Sequence, residues 1–234
     1  MLGQTVSHAE AVDRITTLVP HAEAIGFAEW LEFTKDWPGH AALVHRMATS
    51  TEPETMLDHL AVLRFALIFR AIECQIHFEP LGGVGPDLGV THRGTGLRVE
   101  VTRFRPVNPG PQPWDGRGGL LPYGNPDRDV LKSIGKIRRK LPQASGARAA
   151  IAIWNDDQAL DHVEMKCAAK DLCSQVPPSV QFVLYASEWV QTITHRQLHC
   201  FPLQDPLDDS AREMTTQLEA ISLRRAVAIV DRTW

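Results

Sequence analysis

The sequence predicts an α/β fold: a mixed β-sheet with helices on its faces. Three observations predict it. A broad helical apolar stripe over 54–72 leads directly into three short alternating strands. Later, helix and strand alternate, which implies parallel pairing. Hydrophobic residues make up 44% and charged residues 22% of 234 residues, enough to bury a core without disulfides or structural metal.

Taken in order, residues 1–50 form a helical, acidic N-terminal extension. The spacing Ile15, Leu18, Ala22, Ile25 predicts short helices broken at Pro20 and Gly26, and Trp37-Pro38-Gly39 predicts a turn. Residues 51–190 form the α/β core. In its first helix Met56, Leu60, Leu63 and Leu67 make one stripe, widened by Leu57, Ala61, Ile68 and Ile72, the face of a helix packed under a sheet. Strands are expected over 75–78, 87–91 and 97–104. In the third, Leu97, Val99 and Val101 face one way and Arg98, Glu100 and Thr102 the other. Six prolines and five glycines fill the stretch 106–126, which carries Trp114, Arg117 and Tyr123. A connection of that length is a lid, a contact segment for nucleic acid, a surface excursion or a docking segment for a partner. Asn125-Pro126-Asp127 predicts the start of a helix that runs to Leu141 and is ended or kinked by Pro142. A strand over 147–154, a helix over 158–175 and a strand over 180–186 complete the core. Residues 191–234 form a C-terminal extension packed on it, with a strand over 198–203 and a helix capped at Asp208-Asp209-Ser210 and running toward Val230.

Composition narrows the function classes. Net charge is −4, which excludes a wholesale basic coat. The charge is uneven, however. Residues 1–91 carry net −7, residues 92–148 net +8 with 12 Lys+Arg against 4 Asp+Glu, and residues 149–234 net −5. A basic segment inside an acidic chain either attracts a polyanion to one face or pairs with its acidic flanks. Cys74, Cys167, Cys173 and Cys200 form no C-x-x-C, so a zinc site is not expected and the thiols read as reduced and cytoplasmic. No signal peptide and no membrane partner are expected, since the apolar runs 65–69 and 149–154 are too short to span a bilayer. Leu81-Gly82-Gly83-Val84-Gly85 lacks the Gly-Lys-Ser/Thr ending of a phosphate loop and reads as a turn.

The residues with chemical promise fall in the middle segment. If Gly94-Thr95 is a two-residue hairpin turn, Arg93 pairs with Gly96 and Asp87 stands opposite Thr102. Asp87 and Glu100 then share a face and are close enough to share a divalent cation. Lys132, Lys136 and Lys140, four apart, line one helix face, with Gln143 extending the stripe. Phosphodiester hydrolysis needs a hard cation on carboxylate oxygens and a nearby ammonium for the charge that builds in the transition state. Asp87, Glu100 and one lysine supply that minimum. Singly, each also has a plain structural account: a turn residue, a polar tooth on a strand, a solvated helix face.

Gly85-Pro86-Asp87-Leu88 followed by Leu97-Arg98-Val99-Glu100-Val101-Thr102 resembles the PD-(D/E)XK nuclease superfamily, the restriction-endonuclease-like fold. The resemblance covers about 54–186 and implies an αβββαβ core. It implies Mg²⁺ or Mn²⁺ held by Asp87, Glu100 and the Val101 backbone carbonyl. The family's lysine two residues after the strand acid is here Thr102, and Lys136 or Lys140 looks like the migrated form on the following helix. Glu54, Asp58 and Glu73 are candidates for the family's first-helix acid. The expected catalytic residues are Asp87, Glu100, Lys136 and Lys140, and the expected nucleic-acid contacts are Lys132, Gln143, Arg103, Arg117, Arg139 and Trp114. Two functional readings stand: a metal-dependent nuclease, acting on DNA rather than RNA by the resemblance, and a catalytically inactive nuclease-fold protein binding nucleic acid or a protein partner through its basic segment. A third, a small-molecule enzyme, predicts a deep apolar pocket instead. The helical extensions are candidate surfaces for a second copy or a protein partner.

Overall fold

A computed structural model describes residues 7–79, 81, 86–105, 126–144, 147–156, 162–190 and 194–221. Six strands form one mixed sheet in sequence order: β1 (Gln75–Phe78), β2 (Leu88–His92), β3 (Thr95–Phe104), β4 (Ala149–Asn155), β5 (Val180–Val190) and β6 (Thr194–Pro202). β1, β2 and β3 are an antiparallel meander. β3, β4 and β5 run parallel, and β6 returns antiparallel to β5. Parallel neighbours need crossovers. These are α5 (Pro126–Ala144), between β3 and β4, and α6 (His162–Leu172), between β4 and β5. The expected α/β class and its order of elements are what the chain adopts.

The sheet is covered on both faces. On one lie α1 (His8–Leu18), α2 (His21–Phe33), α3 (His40–Thr49), α4 (Pro53–Arg70) and α7 (Asp209–Ala220), sharing a core with Ile76, Leu88, Val99, Val101, Ala152 and Phe182. On the other, Ile134 and Ile137 of α5 and Met165, Ala168 and Leu172 of α6 meet Phe104, Ile151, Ile153 and Tyr185. β4 is buried along its whole length, as a central parallel strand must be. α4 is buried on every side from Leu60 to Phe69, Arg64 included. That guanidinium lies 4.7 Å from the Phe27 ring centroid and 4.2 Å from that of Trp154, which ties α2 through α4 to the sheet.

Three expectations are corrected. Gly26 does not break α2, because Ala24, Phe27 and Leu31 are buried around it and their packing outweighs glycine's cost of about 1 kcal/mol in a helix. α5 continues past Pro142 to Ala144, a proline so near the end forfeiting little of the ladder. The hairpin turn is Arg93-Gly94, not Gly94-Thr95. Both central residues have positive φ, 47° and 81°, and His92 pairs with Thr95. Such a turn matches the twist of the strands it joins, and an ion pair to Glu213 of α7 tethers Arg93. Pro20, in contrast, separates α1 from α2, and Asp208 caps α7 by accepting the Ala211 N–H at 2.8 Å, as expected. α7 ends at Ala220, where Ile221 turns extended, short of the expected run toward Val230; residues 222–230 lie outside the described residues. Among the described residues no helix is long and apolar enough to cross a membrane.

Gly39 makes the turn before α3 possible. Its φ is +80°, and a Cβ there would sit 1.9 Å from the Phe78 carbonyl oxygen. Gly94 also has positive φ but has open space around it. Gly39→Ala is therefore expected to cost about 1–3 kcal/mol, and Gly94→Ala less, in urea unfolding followed by circular dichroism.

Candidate active site

The observed turn moves the β2–β3 register by two residues relative to the expected one. Leu88 pairs with Val99, so continuing the ladder one step sets Asp87 beside Glu100 rather than Thr102. A slide of two preserves the face, where a slide of one would have reversed it. Asp87 Oδ2 accepts the Val101 N–H at 2.9 Å, which locks that carboxylate against β3 beyond the end of the ladder. The N–H and C=O of one strand residue point to the same edge, so the Val101 carbonyl is on the Asp87 side as well.

α5 lays its basic stripe over this point, as its crossover between β3 and β4 requires. The Lys132 and Lys136 ammonium groups lie 5.5 and 5.9 Å from the Phe104 ring centroid. One turn on, Lys140 Nζ donates to Glu100 Oε1 at 2.5 Å. Of the two candidate lysines, Lys140 is the one that meets a carboxylate. Arg139 lines the same cavity of about 430 Å³, together with Asp58, His59 and Thr102. Gln143 belongs to α5, but its side chain is outside the described residues, as are Trp114 and Arg117 entirely.

Burial sets the electrostatics. The Glu100 side chain is 3% exposed, and its buried Oε2 has no hydrogen-bond partner among the described residues. Desolvation and the Asp87 charge push the Glu100 carboxyl up to about 7, against the pull of Lys140. Asp87 is also raised by burial, opposed by the Val101 N–H, Lys140 and Arg46. Burial and the neighbouring Arg139 bring Lys136 down to about 8. His59 is pushed down to about 4 by burial and by Arg46, and is neutral at pH 7.

A divalent cation passes the test of fit. Two carboxylates share one face, and one buried carboxylate oxygen lacks a partner, which is the donor chemistry a hard ion takes. Among the described residues no three His, Cys, Asp or Glu side chains cluster at metal-holding distance. An ion here would rest on two carboxylates, with backbone oxygen and water, a set that suits Mg²⁺.

Arg103, one of the expected nucleic-acid contacts, is buried and committed to acids of the fold. Its side chain is 1% exposed and faces α4. It donates through Nε to Asp58 at 3.0 Å and through Nη1 to Asp156 at 2.6 Å, and it also pairs with Glu54. Strand alternation is the reason: residue 103 shares the Val101 face, under α4, while Glu100 and Thr102 point to the α5 side of the sheet, and Arg103 reaches the cavity wall only within its acid network. The first-helix acids are spent in the same network, with Arg105 pairing to Asp58 at 2.6 Å. Glu73 stands at a positive φ of 63° just after α4.

Sequence reasoning missed Arg46, Glu79 and His59. Arg46 comes from α3, in the extension to which no chemistry was assigned. It binds Glu79 Oε1 at 2.5 Å and brings Nη1 to 3.7 Å from Asp87 Oδ1. The signal was slight: Arg46 is the one Lys or Arg between Lys35 and Arg64. A larger cavity, about 970 Å³, lies between α6, β6 and the start of α7, where His162 stacks on His199 at 4.4 Å. It shares no lining residue with the carboxylate cleft, which is the better candidate because it joins buried acids to a partnered ammonium. Comparison with protein-family models, curated proteins and solved structures finds no match to this chain.

Two stability measurements check this electrostatic picture. The folded-state Glu100 carboxyl binds its proton more tightly than the unfolded one, so between about 4.5 and about 7 the native state holds the extra proton. Without metal, stability is expected to fall as pH rises through that window and then level off. Glu100→Gln should flatten the slope in unfolding titrations at pH 5, 6, 7 and 8. Arg103→Met should cost about 1–3 kcal/mol by leaving three part-exposed acids without their shared guanidinium.

Proposed function

We propose that this chain is a metal-dependent nuclease that hydrolyses phosphodiester bonds in nucleic acid, with DNA preferred. The observation that carries the reading is the placing of buried Glu100 and part-buried Asp87 on one face at neighbouring strands, with the Lys140 ammonium delivered to Glu100 from the next helix. The order α4-β1-β2-β3-α5-β4 is the one the PD-(D/E)XK resemblance implies, which supports the reading further.

Asp87, Glu100 and the Val101 carbonyl would hold Mg²⁺ or Mn²⁺. When bound, the ion supplies positive charge to a phosphoryl oxygen and lowers the pKa of water. The remaining roles belong to the chain. Lys140 neutralises Glu100 in the free protein and stands where negative charge accumulates on a phosphoryl group. Lys136, with its pKa near 8, keeps its charge at neutral pH and loses it on the alkaline side. Arg139 and Lys132 extend the positive face of α5 along which a polyanion would lie.

One observation favours the inactive nucleic-acid-binding alternative. Thr102 occupies the position of the strand lysine and lines the cavity, so catalysis depends on a lysine from α5 alone.

Incubation with plasmid, single-stranded DNA and RNA in Mg²⁺ or Mn²⁺ separates the two. Cleavage is expected from the wild type, and Asp87→Ala or Glu100→Ala should reduce it by at least about 100-fold, as should Lys140→Ala. Cutting that survives the first two changes contradicts the assignment. Salt-sensitive binding with no cutting supports the alternative.

A further inference from the structure

We infer that Arg46 is a phosphate-contacting residue of this cleft, held in place by Glu79, so that substrate is gripped between the N-terminal helical layer and α5. This rests on the nucleic-acid reading of the site.

The cleft has two sides. α3 packs on one face of the sheet through Leu43, Val44 and Met47, and α5 on the other through Ile134 and Ile137. Yet Arg46 of α3 lines the same cavity as Lys136, Arg139 and Lys140. Cations therefore approach the buried acids from both layers, with the carboxylates between them. A strand of phosphodiesters meeting Glu100 and Asp87 would find positive charge on each side.

The bonding of Arg46 separates a contact role from simple neutralisation of Asp87. Its near partner is Glu79, at 2.5 Å through Nε. The 3.7 Å from Nη1 to Asp87 Oδ1 exceeds hydrogen-bond range. Holding a guanidinium by Nε leaves its two terminal nitrogens as a fork, the arrangement that suits a phosphate. The Arg46 side chain is 35% exposed, while Glu79 is 11% exposed. The anchor is inside and the fork is at the cleft.

Glu79 is built for that task at some cost. Its φ is +46°, a region that side chains rarely adopt. Its N–H donates to the Asp87 carbonyl at 2.8 Å, so one residue both fixes the Asp87 backbone and aims Arg46. Strain at a position with two such jobs is retained where function needs the geometry. Glu79 is a positioning residue, and Arg46 is the one that touches substrate.

The test is binding of fluorescein-labelled single-stranded and duplex oligodeoxynucleotides in EDTA across a salt series, alongside cleavage in Mg²⁺. Arg46→Ala should weaken binding by about tenfold and reduce the slope of log Kd against log salt by about one, with a native circular dichroism spectrum at the assay temperature. Arg46→Lys should recover the slope but not the full affinity. Glu79→Gln should shift affinity in the same direction by a smaller factor, and adding it to Arg46→Ala should have no further effect. If the wild type cuts or binds and both Arg46 variants keep its affinity and slope, the inference is overturned while the site stands. If the wild type neither binds nor cuts, the nucleic-acid reading falls and this inference with it.

Discussion

Two acids side by side, Glu100 buried and Asp87 partly so, repel each other, and the rest of the site is organised by that repulsion. Asp87 stands just before β2 and Glu100 in the middle of β3, and neither is exposed enough for water to screen it well. The chain supplies three partial remedies: the Val101 N–H on Asp87, the Lys140 ammonium on Glu100, and the more distant Arg46. One Glu100 oxygen is left without a partner. A pair of acids that needed only structural neutralisation would be better served by a second hydrogen bond. The arrangement is one that a divalent cation would complete.

Each remedy depends on a different part of the fold. The Arg93-Gly94 turn sets the register that places Val101 within reach of Asp87. The parallel pairing of β3 with β4 sends the chain across the sheet as α5, and its four-residue spacing brings Lys140 over Glu100. Gly39 allows the close approach of the turn before α3 to the end of β1, after which Glu79 receives Arg46. The basic middle segment likewise divides its work. Arg93, Arg103, Arg105 and Arg148 pair with acids from the flanking segments, while the α5 lysines and Arg139 line or approach the cleft. Pairing within the fold accounts for part of the basic segment, and Arg103 and Arg105 both pair with acids and line the cleft beside Lys136, Arg139 and Lys140.

Much of this was legible in the sequence because it follows short-range periodicity. The apolar spacing from Met56 to Leu67 announces α4, strand alternation puts Glu100 and Thr102 on one face, and the spacing of Lys132, Lys136 and Lys140 makes one stripe. What sequence spacing could not settle was long-range. The turn was placed one residue late because glycine in the second turn position and in the first look alike without backbone angles. The error shifted Asp87 by two residues along β3 yet kept its face, so the pairing of acids survived it. Arg103 looked like one more surface cation, since nothing local reveals that α4 brings two acids and the end of β4 a third. Arg46 was invisible for the same reason: its partner Glu79 is 33 positions away in the sequence, beyond α4 and β1.

The central claim is that Asp87 and Glu100 form one cation site. Titration of Mn²⁺ into the metal-free protein, followed by calorimetry at pH 8 where Glu100 is ionised, tests it without reference to any substrate. The account predicts one site in the wild type, lost in both Asp87→Asn and Glu100→Gln. Binding that persists unchanged in either variant, or a wild type that takes up no Mn²⁺, would contradict it.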